Sequence, residues 1–232
     1  MTGFSNMHSC KVHGDYQPVG RIGSNFIGTR CPECWKEQAS TSLLDESGIA
    51  SRYQNATLSN FQPRDSNQKV ALAACLAFDA AIATGGDNNL LLVGRPGTGK
   101  THLATALIHA MVSRYEPAAI ATAREIVRAV RATWARGSEK TEQEVINRAV
   151  NLPLLVIDEV GASLGSDNEI AILFEVFDGR YQAEKPTVIV SNLCMPDLSA
   201  FLGERIIDRL RVNGKVVTFE GKSQRGHHTQ SV

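Results

Sequence analysis

Residues 94–101 read GRPGTGKT and fit G-x-x-x-x-G-K-[ST] at every fixed position. An apolar run, NLLLVG (89–94), leads into the stretch, and a segment with helical patterning, THLATALIHAMVSR (101–114), leads out of it. A strand, a glycine turn and a helix in that order predict an α/β fold, because the helix is the crossover to a parallel strand. Gly94, Gly97 and Gly99 let backbone N–H groups turn inward around phosphates, and the helix N-terminus adds its positive end. On this reading Lys100 reaches the β- and γ-phosphates of ATP and Thr101 places its hydroxyl on Mg²⁺. Arg95, Pro96, Thr98 and His102 complete the stretch that surrounds the nucleotide. A chance glycine-rich turn would not carry strand, loop and helix in register.

Four further apolar runs follow the same logic: PAAIAT (117–122), PLLVID (153–158), PTVIVSN (186–192) and KVVTFE (215–220). Runs apolar on both faces suit a covered parallel sheet, and the spacers are long enough for helices. The expected core is therefore a five-stranded parallel sheet between helices. PLLVID ends in Asp158 and is followed by Glu159, at the carboxyl end of a strand, where open α/β sheets bind ligands. Asp158 is expected to hold Mg²⁺ and Glu159 to polarise the attacking water. Asn192, at the end of the next strand, is placed to orient the same water. A small-molecule kinase would need an acceptor pocket and a lid, and the chain gives no sign of either.

The chain has 232 residues, enough for one sizeable core and a small appendage. Its formal net charge is zero, so any contact with DNA has to come from a local patch. The opening MTGFSNMHSC lacks a basic stretch followed by an apolar one, and the apolar stretch 69–86 carries Asp79, so neither a secretory signal nor a membrane span is expected. Five cysteines, an odd number, fit a reducing cytosol better than a disulfide framework. Cys75 and Cys194 sit in apolar runs and read as small core residues.

Residues 1–40 hold the other three cysteines. Cys10-x-x-His13 and Cys31-x-x-Cys34 form two pairs with zinc-ligand spacing, and Pro32 lies inside the second knuckle. So few apolar side chains cannot fold by burial alone, and a structural Zn²⁺ supplies what the core lacks. The competing reading is a reduced, metal-free tail, with His8 as a substitute ligand if the site forms without His13. Residues 41–68 read as a connector with short helical pieces, and residues 69–232 as the nucleotide-binding domain.

The order of phosphate loop, Asp-Glu strand, Ser-Asn strand and LGERIIDRLR (202–211) resembles the AAA+ ATPases, specifically the DnaC/DnaI helicase-loader and IstB transposition-helper branch. The likeness runs from about residue 52 to residue 225. It implies that Asp158 and Glu159 are the Walker B pair and Asn192 is sensor 1. It also implies an arginine finger, Arg209 or alternatively Arg205, acting on ATP in the neighbouring subunit of a ring or spiral. Arg211 lies on a different helix face and reads as a surface residue. Arg225 falls where the family has its sensor 2, although Gln224 stands where relatives carry an aromatic residue. Too few residues follow 220 for a helical lid domain.

By the same resemblance the amino-terminal module docks onto the replicative hexameric DNA helicase, and single-stranded DNA is the other partner. An IstB-like helper and a nucleotide-switched adaptor that does not hydrolyse ATP are the alternatives. The resemblance implies a chain that works in the cytoplasm of a bacterial cell, encoded by the bacterium or its phage. Arg124, Arg128 and Arg131 recur at helical spacing ahead of Trp134, which predicts either a stripe that tracks single-stranded DNA or a solvated basic face with Trp134 in the core.

Overall fold

The computed structural model describes residues 7–86, 88–162, 166–221 and 223–224. Two short hairpins open the chain: β1 (His8–Cys10) with β2 (Gly14–Tyr16), then β3 (Gly20–Ile22) with β4 (Asn25–Gly28). Helix α1 (Pro32–Glu46) and a 3₁₀ turn (Ser51–Tyr53) follow. The α/β part comprises α2 (Ser66–Ala83), β5 (Asn89–Gly94), α3 (Lys100–Ser113), β6 (Ala118–Thr122), α4 (Ala123–Ala132) and α5 (Glu142–Asn151). It continues with β7 (Leu154–Asp158), α6 (Asp167–Gln182), β8 (Thr187–Ser191), α7 (Met195–Leu202), α8 (Glu204–Arg211) and β9 (Gly214–Phe219).

The sheet runs β6-β7-β8-β5-β9, and every neighbouring pair is parallel. All five strands coincide, within a residue or so at each end, with the apolar runs of the sequence. The reason is visible at β5, where Leu90 to Val93 are wholly buried. Leu90 and Leu92 face α2 and α3, while Leu91 and Val93 face the layer built from α4 to α8. A strand sandwiched in this way has no solvent side, so alternation disappears from its sequence. No helix among the described residues is long and apolar enough to cross a membrane.

The chain order places β8 between β5 and β7, so the loops after those three strands meet at one edge of the sheet. Their backbones are tied together. Gly94 N–H donates to Leu193 O at 3.1 Å, Val160 N–H to Val190 O at 3.1 Å, and Ser191 Oγ to Val160 O at 2.6 Å.

The segment 41–68 holds the end of α1, the 3₁₀ turn and the start of α2. Helix α1 crosses residue 40 without a break and is 15 residues long. It has no amphipathic stripe and no fully buried residue, so its pattern gave no helical signal. Contacts at its two ends hold it instead. Trp35 lies against Tyr115 with ring centroids 5.2 Å apart, and Ser47 O accepts the N–H of Ile120 on edge strand β6 at 2.8 Å.

Candidate nucleotide site and metal cluster

The phosphate loop links β5 to α3. Gly99 caps α3 with φ 101°, and a Cβ there would lie 2.8 Å from the Phe61 ring, so both conformation and space require glycine. Lys100 is buried, and its Nζ donates to Gly94 O and Arg95 O, each at 2.6 Å. The ammonium is thus stored on the loop it serves, within reach of anything the loop encloses. Thr101 Oγ1 donates to Asp158 Oδ2 at 3.0 Å, which brings the two expected magnesium ligands together. Burial raises the pKa of Asp158 above its ordinary value. A divalent cation beside Thr101 would offset that cost by favouring the carboxylate.

Glu159 is exposed and adopts φ 56°, in the left-handed region that non-glycine residues seldom occupy. Its N–H donates to Asp158 Oδ1 at 2.6 Å, so the carboxylate that faces Thr101 also fixes the backbone of the next acid. Asn192 is exposed at the end of β8 and lines the same cleft as Gly97, Gly99, Lys100, Thr101, His102, Asp158 and Glu159. Loop, acids and Asn192 therefore converge on one cleft.

Sequence reasoning missed three cleft residues: Arg52, Tyr53 and Gln224. The first two arrive on the 3₁₀ turn, held where His109 Nε2 meets Tyr53 O at 3.3 Å and where the Arg52 guanidinium lies 4.9 Å from the Tyr53 ring centroid. Gln224 arrives from the far end of the chain, its N–H donating to Gly97 O at 2.7 Å. Nothing in a local motif marks such residues, since docking alone brings them in. Arg225, the expected sensor 2, lies outside the described residues.

Arg205 and Arg209 do not line this cleft. They stand on α8, whose Ile206, Ile207 and Leu210 are buried. Arg209 is half-buried: Nε lies 2.7 Å from Asp178 Oδ1 on α6, and the guanidinium packs 5.1 Å and 5.8 Å from the Phe174 and Tyr181 ring centroids. Arg205 and Arg211 are exposed.

The four amino-terminal ligands do meet. One ligand atom from each of Cys10, His13, Cys31 and Cys34 lies within 4.8 Å of all the others. His13 Nδ1 is 3.8, 3.7 and 3.3 Å from the sulfurs of Cys10, Cys31 and Cys34, and Cys10 Sγ is 3.5 Å from Cys34 Sγ. Tetrahedral zinc, with Zn–S of about 2.3 Å and Zn–N of about 2.0–2.1 Å, has edges of roughly 3.5–3.8 Å, so the donor set fits the ion. The N–H groups of His13 and Val12 point at Cys10 Sγ from 3.5 and 3.4 Å and pull its thiol pKa down to about 6, favouring the thiolate a metal needs. His8 is not part of the cluster. Its ring lies beside Tyr16, with centroids 5.8 Å apart.

One residue differs from expectation, and a second falls on one side of the two readings its sequence left open. Cys194 is exposed rather than buried, because it precedes α7 at the turn where β8 leaves the sheet. Trp134 is 51% exposed and sits in the turn after α4, which ends at Ala132, with Nε1 donating to Glu142 at 2.6 Å. Arg131 of the basic stripe is engaged by Glu169 at 3.1 Å, and Arg128 is exposed.

The family of IstB-like ATP binding proteins matches residues 53–232. The replicative helicase loader DnaC of Escherichia coli (strain K12) is 33% identical over 191 residues, covering 80% of this chain and 76% of that protein. DnaC of Buchnera aphidicola subsp. Baizongia pistaciae (strain Bp) is 30% identical over 214 residues, covering 90% and 83%. The crystal structure of the DnaC helicase loader superposes with a TM-score of 0.67 at 24% identity, covering 74% of this chain and 100% of that one, which supports the fold. Family match and identity together settle kinship: the chain belongs to the IstB-like ATP-binding proteins, in the AAA+ branch that includes the DnaC helicase loaders.

Proposed function

We propose that this protein is an ATPase that loads a replicative hexameric helicase onto single-stranded DNA in the bacterial cytoplasm. The observation that carries the reading is the single cleft shared by phosphate loop, Asp158–Glu159 and Asn192, in a chain 33% identical to a replicative helicase loader. ATP binds with its phosphates along residues 94–101. Lys100 exchanges its two carbonyl partners for phosphate oxygens, and Thr101 with Asp158 would hold Mg²⁺, which would supply positive charge at the phosphates. Glu159 accepts the proton of the attacking water while Asn192 orients it. Arg209 of an adjacent copy stabilises the charge that develops, so turnover depends on assembly into a ring or spiral.

The domain assignment follows the same division: residues 1–40 dock the helicase around a structural Zn²⁺, 41–68 connect, and 69–232 hydrolyse ATP. Large apolar side chains exposed in the module, Val12 at 75% and Phe26 at 76%, give it a surface for a protein partner. A transposition helper is favoured by the family match alone. The separate metal-binding end favours loading, because it supplies a docking site beyond the ATPase.

The exposed Trp134 and Arg128 form the DNA-facing surface. Trp134→Ala is expected to weaken single-strand binding with ATP by about 10-fold, in line with about 1–3 kcal/mol per stacked base, and to leave its salt dependence unchanged. Arg128→Ala is expected to lower the salt slope instead. Fluorescence anisotropy with a labelled oligothymidine checks both, and wild-type affinity in both variants would remove DNA from this face.

A further inference from the structure

We propose that Glu37 orients the metal-binding ring of His13, a role that rests on reading the Cys10, His13, Cys31 and Cys34 cluster as a metal site. His13 presents Nδ1 to three sulfurs at 3.3–3.8 Å, while its other nitrogen, Nε2, lies 3.3 Å from Glu37 Oε1. A neutral imidazole carries one proton and one lone pair. With Nδ1 as the ligand atom the proton belongs on Nε2, and Glu37 is the acceptor that keeps it there. The carboxylate thereby sets the tautomer, fixes the plane of the ring and raises the basicity of the nitrogen that binds.

The position of Glu37 follows from α1. Cys34 and Glu37 are three residues apart on that helix, so they share a face. Cys31 immediately precedes the helix, and the spacing Cys31-x-x-Cys34-x-x-Glu37 lets one short rigid element supply two sulfurs and the carboxylate that holds the third partner. Charge also argues for this role. Three thiolates already make the site anionic, and a further carboxylate alongside is unfavourable unless it accepts a hydrogen bond. Packing gives no other reason for its orientation, since the Glu37 side chain is 69% exposed.

The test uses the full-length protein loaded with Zn²⁺ or Co²⁺. Glu37→Ala is expected to weaken Zn²⁺ affinity by about 10- to 100-fold in competition with a colorimetric chelator. It is also expected to shift the visible d–d bands of the Co²⁺ form, while the sulfur-to-cobalt charge-transfer bands of three thiolates persist. Glu37→Gln keeps an acceptor oxygen in place and is expected to restore most of both properties. A purely structural role for Glu37 would not be rescued in the spectrum this way. Equal Zn²⁺ affinity in wild type and Glu37→Ala overturns the proposal and leaves the metal site standing. Failure of the wild-type chain to take up either ion overturns both.

Discussion

Glu159→Gln is expected to bind ATP nearly as well as the wild type and to release phosphate about 10²–10⁴-fold more slowly. The asymmetry between the two acids explains why. Asp158 is tied to Thr101 and is the acid proposed to serve the cation, so Asp158→Asn is expected to impair Mg²⁺-dependent binding. Glu159 lines the same cleft but is exposed, on a left-handed backbone pinned by the Asp158 carboxylate. A glutamine leaves the backbone contact to Asp158 in place, but it cannot take the proton of a water. Fluorescent-nucleotide titration and continuous phosphate-release assays separate the two effects. Unchanged turnover would remove Glu159 from the reaction and favour a nucleotide-switched adaptor.

Arg209→Ala is expected to lower turnover in the assembled state by about 10³–10⁵-fold, and Arg205→Ala by much less. Neither arginine lines the cleft of its own chain, as a group acting on a neighbour requires. They differ in preparation. The Arg209 guanidinium is held by Asp178 through Nε and flanked by Phe174 and Tyr181, so little rotamer freedom remains to be lost when its terminal nitrogens meet phosphate. Arg205 is exposed and has that freedom still to lose. Mixing Arg209→Ala with Lys100→Ala gives a sharp check. The first variant has a working cleft without a finger, and the second a finger without a working cleft. Each is expected to be inactive alone, and the mixture to regain turnover at junctions that combine the two. A mixture as inactive as its components would place the finger elsewhere.

The parts of this architecture that could be read from sequence are those whose physics is local. A fully buried strand writes itself as an unbroken apolar run, and a phosphate loop needs its glycines at fixed spacing. A metal knuckle also keeps its ligands three residues apart, and all four candidate ligands converge. Features assembled by distant contacts were not legible. Helix α1 is held by Tyr115, Ile120 and the cysteine knuckle rather than by an amphipathic stripe. Arg52, Tyr53 and Gln224 enter the cleft from segments far from the loop in sequence. Cys194 looked like a core residue because its neighbours are apolar, yet it lies where the chain has already left the sheet. The Asp178 that holds Arg209 is one of many helix-surface acids in the sequence, and only the packing of α8 on α6 singles it out.

The most direct test of the loader reading is transfer of the purified replicative hexamer to a closed circle of single-stranded DNA, read as helicase that co-sediments with the circle. Addition of this protein with ATP is expected to raise that amount. The double variant Val12→Asp, Phe26→Asp, with its ATPase intact, is expected to return it to the level without loader. The same amount of helicase on the circle with and without the wild-type protein, under conditions where ATP is being turned over, would contradict the account.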